Sequence, residues 1–193
     1  PYPATTPLML ARYLVLNADN PFVEHPVATG AVYYVIAGEG RTVSAGYVVE
    51  WQEGDAFCLP CGADISHVCV TRAVLFQVTN EPELSFGGLA APAVENSRVA
   101  PAIYRRVSVD ARLAEVQEAF NGVAVGEYVN ITSPSQERMR TALPTMVVGF
   151  NSLQPGGNQR PHHHNAAAIT LCIAGEGVYS MIGGDRYDWQ PAG

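Results

Sequence analysis

One ten-residue segment occurs twice in this chain. Ala31 to Gly40 reads AVYYVIAGEG, and Ala168 to Gly177 reads AITLCIAGEG, identical at six of ten positions and 137 residues apart. The same offset pairs Pro7 and Met9 with Pro144 and Met146, Leu16 with Leu153, and His25 with His162. Further on, Glu50-Trp51-Gln52 answers Asp188-Trp189-Gln190, now one residue further apart. An offset held from Pro7 to Gly40 makes the chain two copies of one structural unit. Whatever fold one copy adopts, the other is built to repeat it.

Each copy reads as β. Apolar and β-branched runs at Met9–Leu16, Ala31–Ile36, Tyr47–Trp51 and His67–Val78 are short, and Gly, Pro, Asn or Asp clusters separate them. That spacing predicts an antiparallel sandwich or barrel. The stretch between the copies differs. Gly87 to Val94 reads as a linker, and Ser133 to Leu143 as a polar loop or short helix. A single helix is predicted near 108–120, with Ser108 as cap, Leu113, Val116 and Phe120 at helical spacing, and Asn121-Gly122 as stop. The expected organisation is an N-terminal unit over 1–86, a linker with a helix over 87–143, and a second unit over 144–193.

Composition removes several function classes. Net charge is −7 and the 11 Lys and Arg are scattered, which argues against a nucleic-acid backbone as partner. No run of about 18 apolar residues predicts a membrane span, and the first residues lack the pattern of a signal peptide. Four cysteines in 193 residues make no disulfide scaffold, so free thiols and a cytoplasmic location are expected. Cys58-Leu-Pro-Cys61 lacks a second pair, and small core residues are the expectation there.

The second copy carries the residues with chemistry. Gly156, five residues, His162, one residue, His164, then Ala-Gly-Glu-Gly resembles the first cupin motif. In the first copy, Gly54 to Gly62 followed by His67 resembles the second. The arrangement is most similar to the gentisate 1,2-dioxygenase group and its salicylate and hydroxynaphthoate relatives. The resemblance implies a mainly all-β protein of two cupin jelly-roll barrels joined by a linker with a short helix. It also implies a metal held by three His, two of them His162 and His164. Asn165-Ala-Ala-Ala168 stands where many cupins carry a Glu ligand, as in this group.

On a strand, alternate side chains share a face, so His162 and His164 are expected to point one way. Arg160, Ala166, Ala168, Thr170 and Cys172 would share that face, with His163 turned away. Two alanines leave room for a substrate, and Arg160 has the fork geometry for a carboxylate. Imidazole suits several metals, so Fe(II) follows from the resemblance, with Zn, Mn or Ni as alternatives. In the first copy Val27 replaces the second His, leaving His25 and His67 as a degraded second site. Gly193 falls at the position of Gly54, so the second barrel is expected to be truncated and its third ligand to lie beyond Gly193.

Three activities are compatible with such a fold, and fold alone does not choose. The first is a non-haem Fe(II) dioxygenase opening the ring of a hydroxylated aromatic acid with dioxygen. The second is a non-redox isomerase or lyase of a small keto or sugar acid. The third is a bicupin that binds a small molecule without chemistry. The absent Glu and the two-copy layout favour the first. Related bicupins form dimers or tetramers, and the resemblance implies a homodimer or homotetramer.

Overall fold

The computed structural model describes residues 3–120 and 126–191. Eight strands occupy the first copy: β1 (Leu10–Asn17), β2 (Phe22–Glu24), β3 (Gly30–Ala37), β4 (Glu39–Ser44), β5 (Tyr47–Gln52), β6 (Ala56–Pro60), β7 (Ile65–Cys69) and β8 (Arg72–Thr79). The expected run His67–Val78 is two strands, broken at Val70–Thr71 where the chain reverses. With β9 (Ala102–Tyr104) they form a five-stranded sheet, β1-β8-β3-β6-β9, and a four-stranded sheet, β2-β7-β4-β5. All pairings are antiparallel among the described residues.

Strand alternation places the core. Leu14, Leu16, Ala31, Tyr33, Val35, Phe57, Leu59, Ala73 and Leu75 of the large sheet face Val49, Trp51, Ile65 and Cys69 of the small one. Fully burying one such large side chain contributes about 1.5–3 kcal/mol, so this layer dominates the stability of the fold. Cys58 and Cys61 are fully buried free thiols, as expected of core residues. Burial pushes the Cys58 thiol up to about 11, which keeps it protonated and unreactive.

The region between the copies packs on the outside of the large sheet. Val99, Ala142, Leu143 and Met146 form a second apolar cluster with Val32 and Cys58. Helix α1 (Glu81–Gly87) follows β8, and helix α2 (Arg106–Ala119) follows β9. Ser108 does not cap α2, whose cap position is Arg105. The buried carboxylate of Asp55, in the β5–β6 turn, does so instead: its Oδ1 accepts Arg106 N–H at 3.0 Å and its Oδ2 accepts Arg105 Nη1 at 2.7 Å. Of the predicted apolar stripe, Leu113 and Val116 are only half-buried and Phe120 is exposed; Val109 is the buried residue. The expected stop at Asn121-Gly122 lies outside the described residues. Pro134–Met139 forms a short 3₁₀ helix.

The repeat is visible in three dimensions. Strand β10 (Glu127–Ile131) pairs with β11 (Val148–Ser152), which sits 137 residues after the middle of β1. Strands β12 (Tyr179–Ile182) and β13 (Asp185–Asp188) repeat the β4–β5 hairpin at an offset of 138. Thr42 opposite Val49 becomes Ser180 opposite Tyr187, and Val43 opposite Val48 becomes Met181 opposite Arg186. The turns match as well: Ala45 and Gly46 both take positive φ, and so do Gly183 and Gly184. What does not repeat is β3. Residues 153–178 form no strand, although Ala168–Gly177 is the duplicate of Ala31–Gly40. In the first copy β3 is hydrogen-bonded to β6 on one side and β8 on the other. The second copy has no counterpart to either among the described residues, and a strand without neighbours has no ladder.

Candidate metal centre and its first-copy counterpart

His162 and His164 lie in an extended, exposed segment rather than on a regular strand. Their rings meet edge to face at 4.9 Å, and their Nε2 atoms are 3.2 Å apart. His162 Nδ1 is 3.1 Å from the carbonyl oxygen of Arg160. A carbonyl only accepts, so Nδ1 carries the hydrogen and the lone pair of the neutral ring is on Nε2. This is the tautomer and the backbone anchor that a metal-bound imidazole uses. Two nitrogens each about 2.1 Å from one ion, at adjacent corners of an octahedron, stand about 3.0 Å apart. The observed separation is close to that, so the pair fits two neighbouring positions on one ion. Among the described residues no third His, Cys, Asp or Glu joins them.

The remaining second-copy residues differ from expectation. Arg160, Ala166, Ala168 and Thr170 are exposed and belong to no strand, so no pleat lays them on one face with the imidazoles. Arg160 holds its place through its backbone carbonyl.

In the first copy His25 and His67 do not converge. His25 is turned outward and pairs with Asp64 Oδ1 at 2.9 Å. His67 is fully buried on β7, between the sheets. The reason is a change of parity. Glu24, Pro26 and Ala28 point inward, the chain bends at Ala28–Thr29, and Ala31, Tyr33 and Val35 point inward after it. Counting alternation back from β3 therefore reaches the wrong side of His25.

Glu24 takes the inward place. Its Oε1 accepts Tyr33 O–H at 2.7 Å and Gln77 Nε2–H at 2.7 Å, and His67 Nε2 lies 3.1 Å away. Burial alone would raise the Glu24 pKa, but hydrogen bonds from His67, Tyr33 and Gln77 outweigh it and hold the carboxyl below the usual range. An ionised carboxylate only accepts, so His67 Nε2 carries a hydrogen. Nδ1 of His67 meets Thr42 Oγ1 at 2.8 Å, and Thr42 Oγ1 accepts Trp51 Nε1–H at 2.8 Å. The bonds thus run in one direction: Trp51 to Thr42 to His67 to Glu24. Burial, then the Glu24 charge, raises the Tyr33 hydroxyl well above its ordinary value, so it stays a donor.

Sequence reasoning placed Glu24 opposite His25 but not in the barrel, and it missed Tyr33, Thr42, Trp51 and Gln77. One signal was present: Trp51 and Trp189 both follow a hydroxyl residue by nine positions.

No family model matches the chain. The 5-aminosalicylate 1,2-dioxygenase of Comamonas sp is 33% identical over 86 residues, 44% of this chain and 23% of that protein. The solved salicylate 1,2-dioxygenase of Pseudaminobacter salicylatoxidans matches with TM-score 0.60 and 19% identity, over 77% of this chain and 53% of that one. The gentisate adduct of the same enzyme matches with TM-score 0.61, 19% identity and coverage of 77% and 51%. The chain thus spans about half the length of the solved structures it matches and a quarter of the curated relative. It has the cupin dioxygenase fold, mainly β, and is similar to the salicylate and aminosalicylate dioxygenases.

Proposed function

We propose that this chain, a cupin similar to those ring-cleaving dioxygenases, belongs to a non-haem metal dioxygenase acting on a hydroxylated aromatic acid of the gentisate or salicylate class. The observation that carries the reading is the paired Nε2 atoms of His162 and His164, with His162 locked by the Arg160 carbonyl. Neutral imidazoles suit Fe(II), and a site with few protein ligands leaves positions for a chelating substrate and dioxygen. The ion, when bound, supplies the Lewis acidity and electron transfer that ring opening with dioxygen requires.

The chain's own residues orient and admit. Arg160 fixes the ring plane of His162 through its carbonyl, and its guanidinium, two residues from the pair, takes the substrate carboxylate in a bidentate bond. Ala166 and Ala168 add no bulk beside the imidazoles, which leaves space for an aromatic ring. The first barrel, its interior filled by the Glu24 network, serves as scaffold.

The test is metal affinity and oxygen uptake of the full-length protein, loaded anaerobically with Fe(II) and offered gentisate, salicylate and 5-aminosalicylate. Uptake by wild type, absent in His162→Ala and His164→Ala together with the bound metal, is the expected result. Metal retained by both variants sinks the assignment of the ligands. Metal bound without uptake on any of the three acids removes the dioxygenase reading.

A further inference from the structure

The two copies share a hydrogen bond as well as a sequence. Trp51 Nε1–H donates to Thr42 Oγ1 at 2.8 Å, and Trp189 Nε1–H donates to Ser180 Oγ at 2.8 Å. Both pairs span nine residues, both link the two strands of a duplicated hairpin, and the two sit 138 residues apart. In the first copy the hydroxyl has a further task. Thr42 stands directly opposite His67 across the β4–β7 ladder and holds its Nδ1 at 2.8 Å. In the second copy Ser180 accepts from Trp189 and has no second hydrogen-bond partner among the described residues. The holder is present in both copies; the imidazole it holds is seen in one.

We infer that Ser180, fixed by Trp189, is a positioning residue that holds the Nδ1 edge of a third, metal-bound imidazole in the second unit, as Thr42 holds His67. This rests on the metal reading proposed above. The direction of the bond differs between the copies. In the first, His67 turns Nε2–H to the Glu24 carboxylate, so its Nδ1 accepts the Thr42 hydroxyl hydrogen. A ligand imidazole must give its Nε2 lone pair to the ion, so its Nδ1–H would donate to Ser180. A hydroxyl serves both cases, because it has one hydrogen and two lone pairs and rotates to suit. The Trp N–H occupies one lone pair and leaves the other for the imidazole. A carbonyl in this place would permit only the metal-binding tautomer and an ammonium only the other, which explains how one holder persists in two barrels of different use. Whichever segment fills the place of β7 in the second unit would present that imidazole opposite Ser180.

Titration of the full-length protein with Co(II), followed by visible absorption, tests this. Loss of a partner that orients a metal ligand weakens the metal by roughly 10- to 100-fold. Ser180→Ala and Trp189→Phe are expected to show that weakening and a shifted Co(II) spectrum, while Ser180→Thr, carrying the hydroxyl of the first barrel, restores both. Ser180→Ala with wild-type affinity and spectrum, where His164→Ala has lost the ion, overturns the role of Ser180 and leaves the metal pair standing. Failure of Ser180→Thr to rescue, with the far-UV circular dichroism unchanged, also overturns it, since packing rather than the hydroxyl would then be at work. Should His164→Ala keep wild-type affinity, the metal reading itself fails and this inference falls with it.

Discussion

Glu24 is a carboxylate between two sheets with no lysine or arginine in direct bidentate contact; Arg12 reaches only to 4.0 Å of it and is engaged by Glu81. Three neutral donors do the work of a counter-charge. Removing the acceptor strands Tyr33 O–H, Gln77 Nε2–H and His67 in a dry interior. Glu24→Ala should therefore lose roughly 3–5 kcal/mol of stability, read by urea unfolding. The same network sets a pH dependence. The Glu24 pKa is lower folded than unfolded, so its contribution is fully present above the unfolded value, 4.5, and is lost as pH falls through the folded value. Wild type should thus lose stability below about pH 4.5 more steeply than Glu24→Gln, which has no such proton to gain. Equal acid slopes for the two proteins would show that Glu24 is not ionised in the native state. A second buried carboxylate stands in contrast. Glu127 is 2% exposed, and neither of its oxygens has a hydrogen-bond partner among the described residues. Replacing it with the similar-sized Met removes an unsatisfied group, and a rise of roughly 1–3 kcal/mol is expected in the same assay.

At the level of elements, the sequence exposed the duplication and most of the first-copy strands but not how they meet. The β3 and β5 boundaries were readable because apolar runs stop at Gly and Asp. The bend at Ala28–Thr29 was not, since no Gly or Pro marks it between the two residues, and it exchanges His25 for Glu24 inside the barrel. The cap of α2 was equally hidden. Local reading looks for a side chain near the helix start and finds Ser108, whereas the acceptor comes from Asp55, about fifty residues earlier in the chain. Asp55→Ala leaves the first N–H groups of α2 and the Arg105 guanidinium without it. A loss of about 1–2 kcal/mol is expected, with faster amide exchange confined to the first turn of α2. Exchange that quickens throughout the first barrel instead would mean that Asp55 holds the β5–β6 turn rather than the helix. The metal pair was legible from motif spacing alone. The strand expected to carry it was not formed, because strands are made by neighbours and the spacing of a motif says nothing about theirs.

For the molecule as a whole, the two copies differ in how much of the unit is closed. The first buries its apolar layer between two sheets, while the second leaves Ile173, Tyr179, Met181 and Ile182 exposed. Hydrogen exchange should reflect this directly. Amides of β3, β6 and β8 are expected to exchange only on global unfolding, and those of residues 153–178 at close to the free-peptide rate. Protection across 153–178 would reveal a ladder there.

The pairing of β1 with β8 has a consequence for the order in which the molecule is made. Leu10 meets Thr79 and Asn17 meets Arg72, so the first barrel is closed by residues that all leave the ribosome within the first eighty. It can fold while the rest is being translated, since chains emerge at roughly 5–20 residues per second and small domains fold faster than that. The segment from Val99 to Met146 then emerges beside a finished sheet whose outer face, at Val32 and Cys58, is ready to receive it. The His162–His164 pair is synthesised last, tethered to a rigid neighbour rather than to a fluctuating chain. A stalled nascent chain ending near residue 120 should therefore already resist protease over residues 10–79.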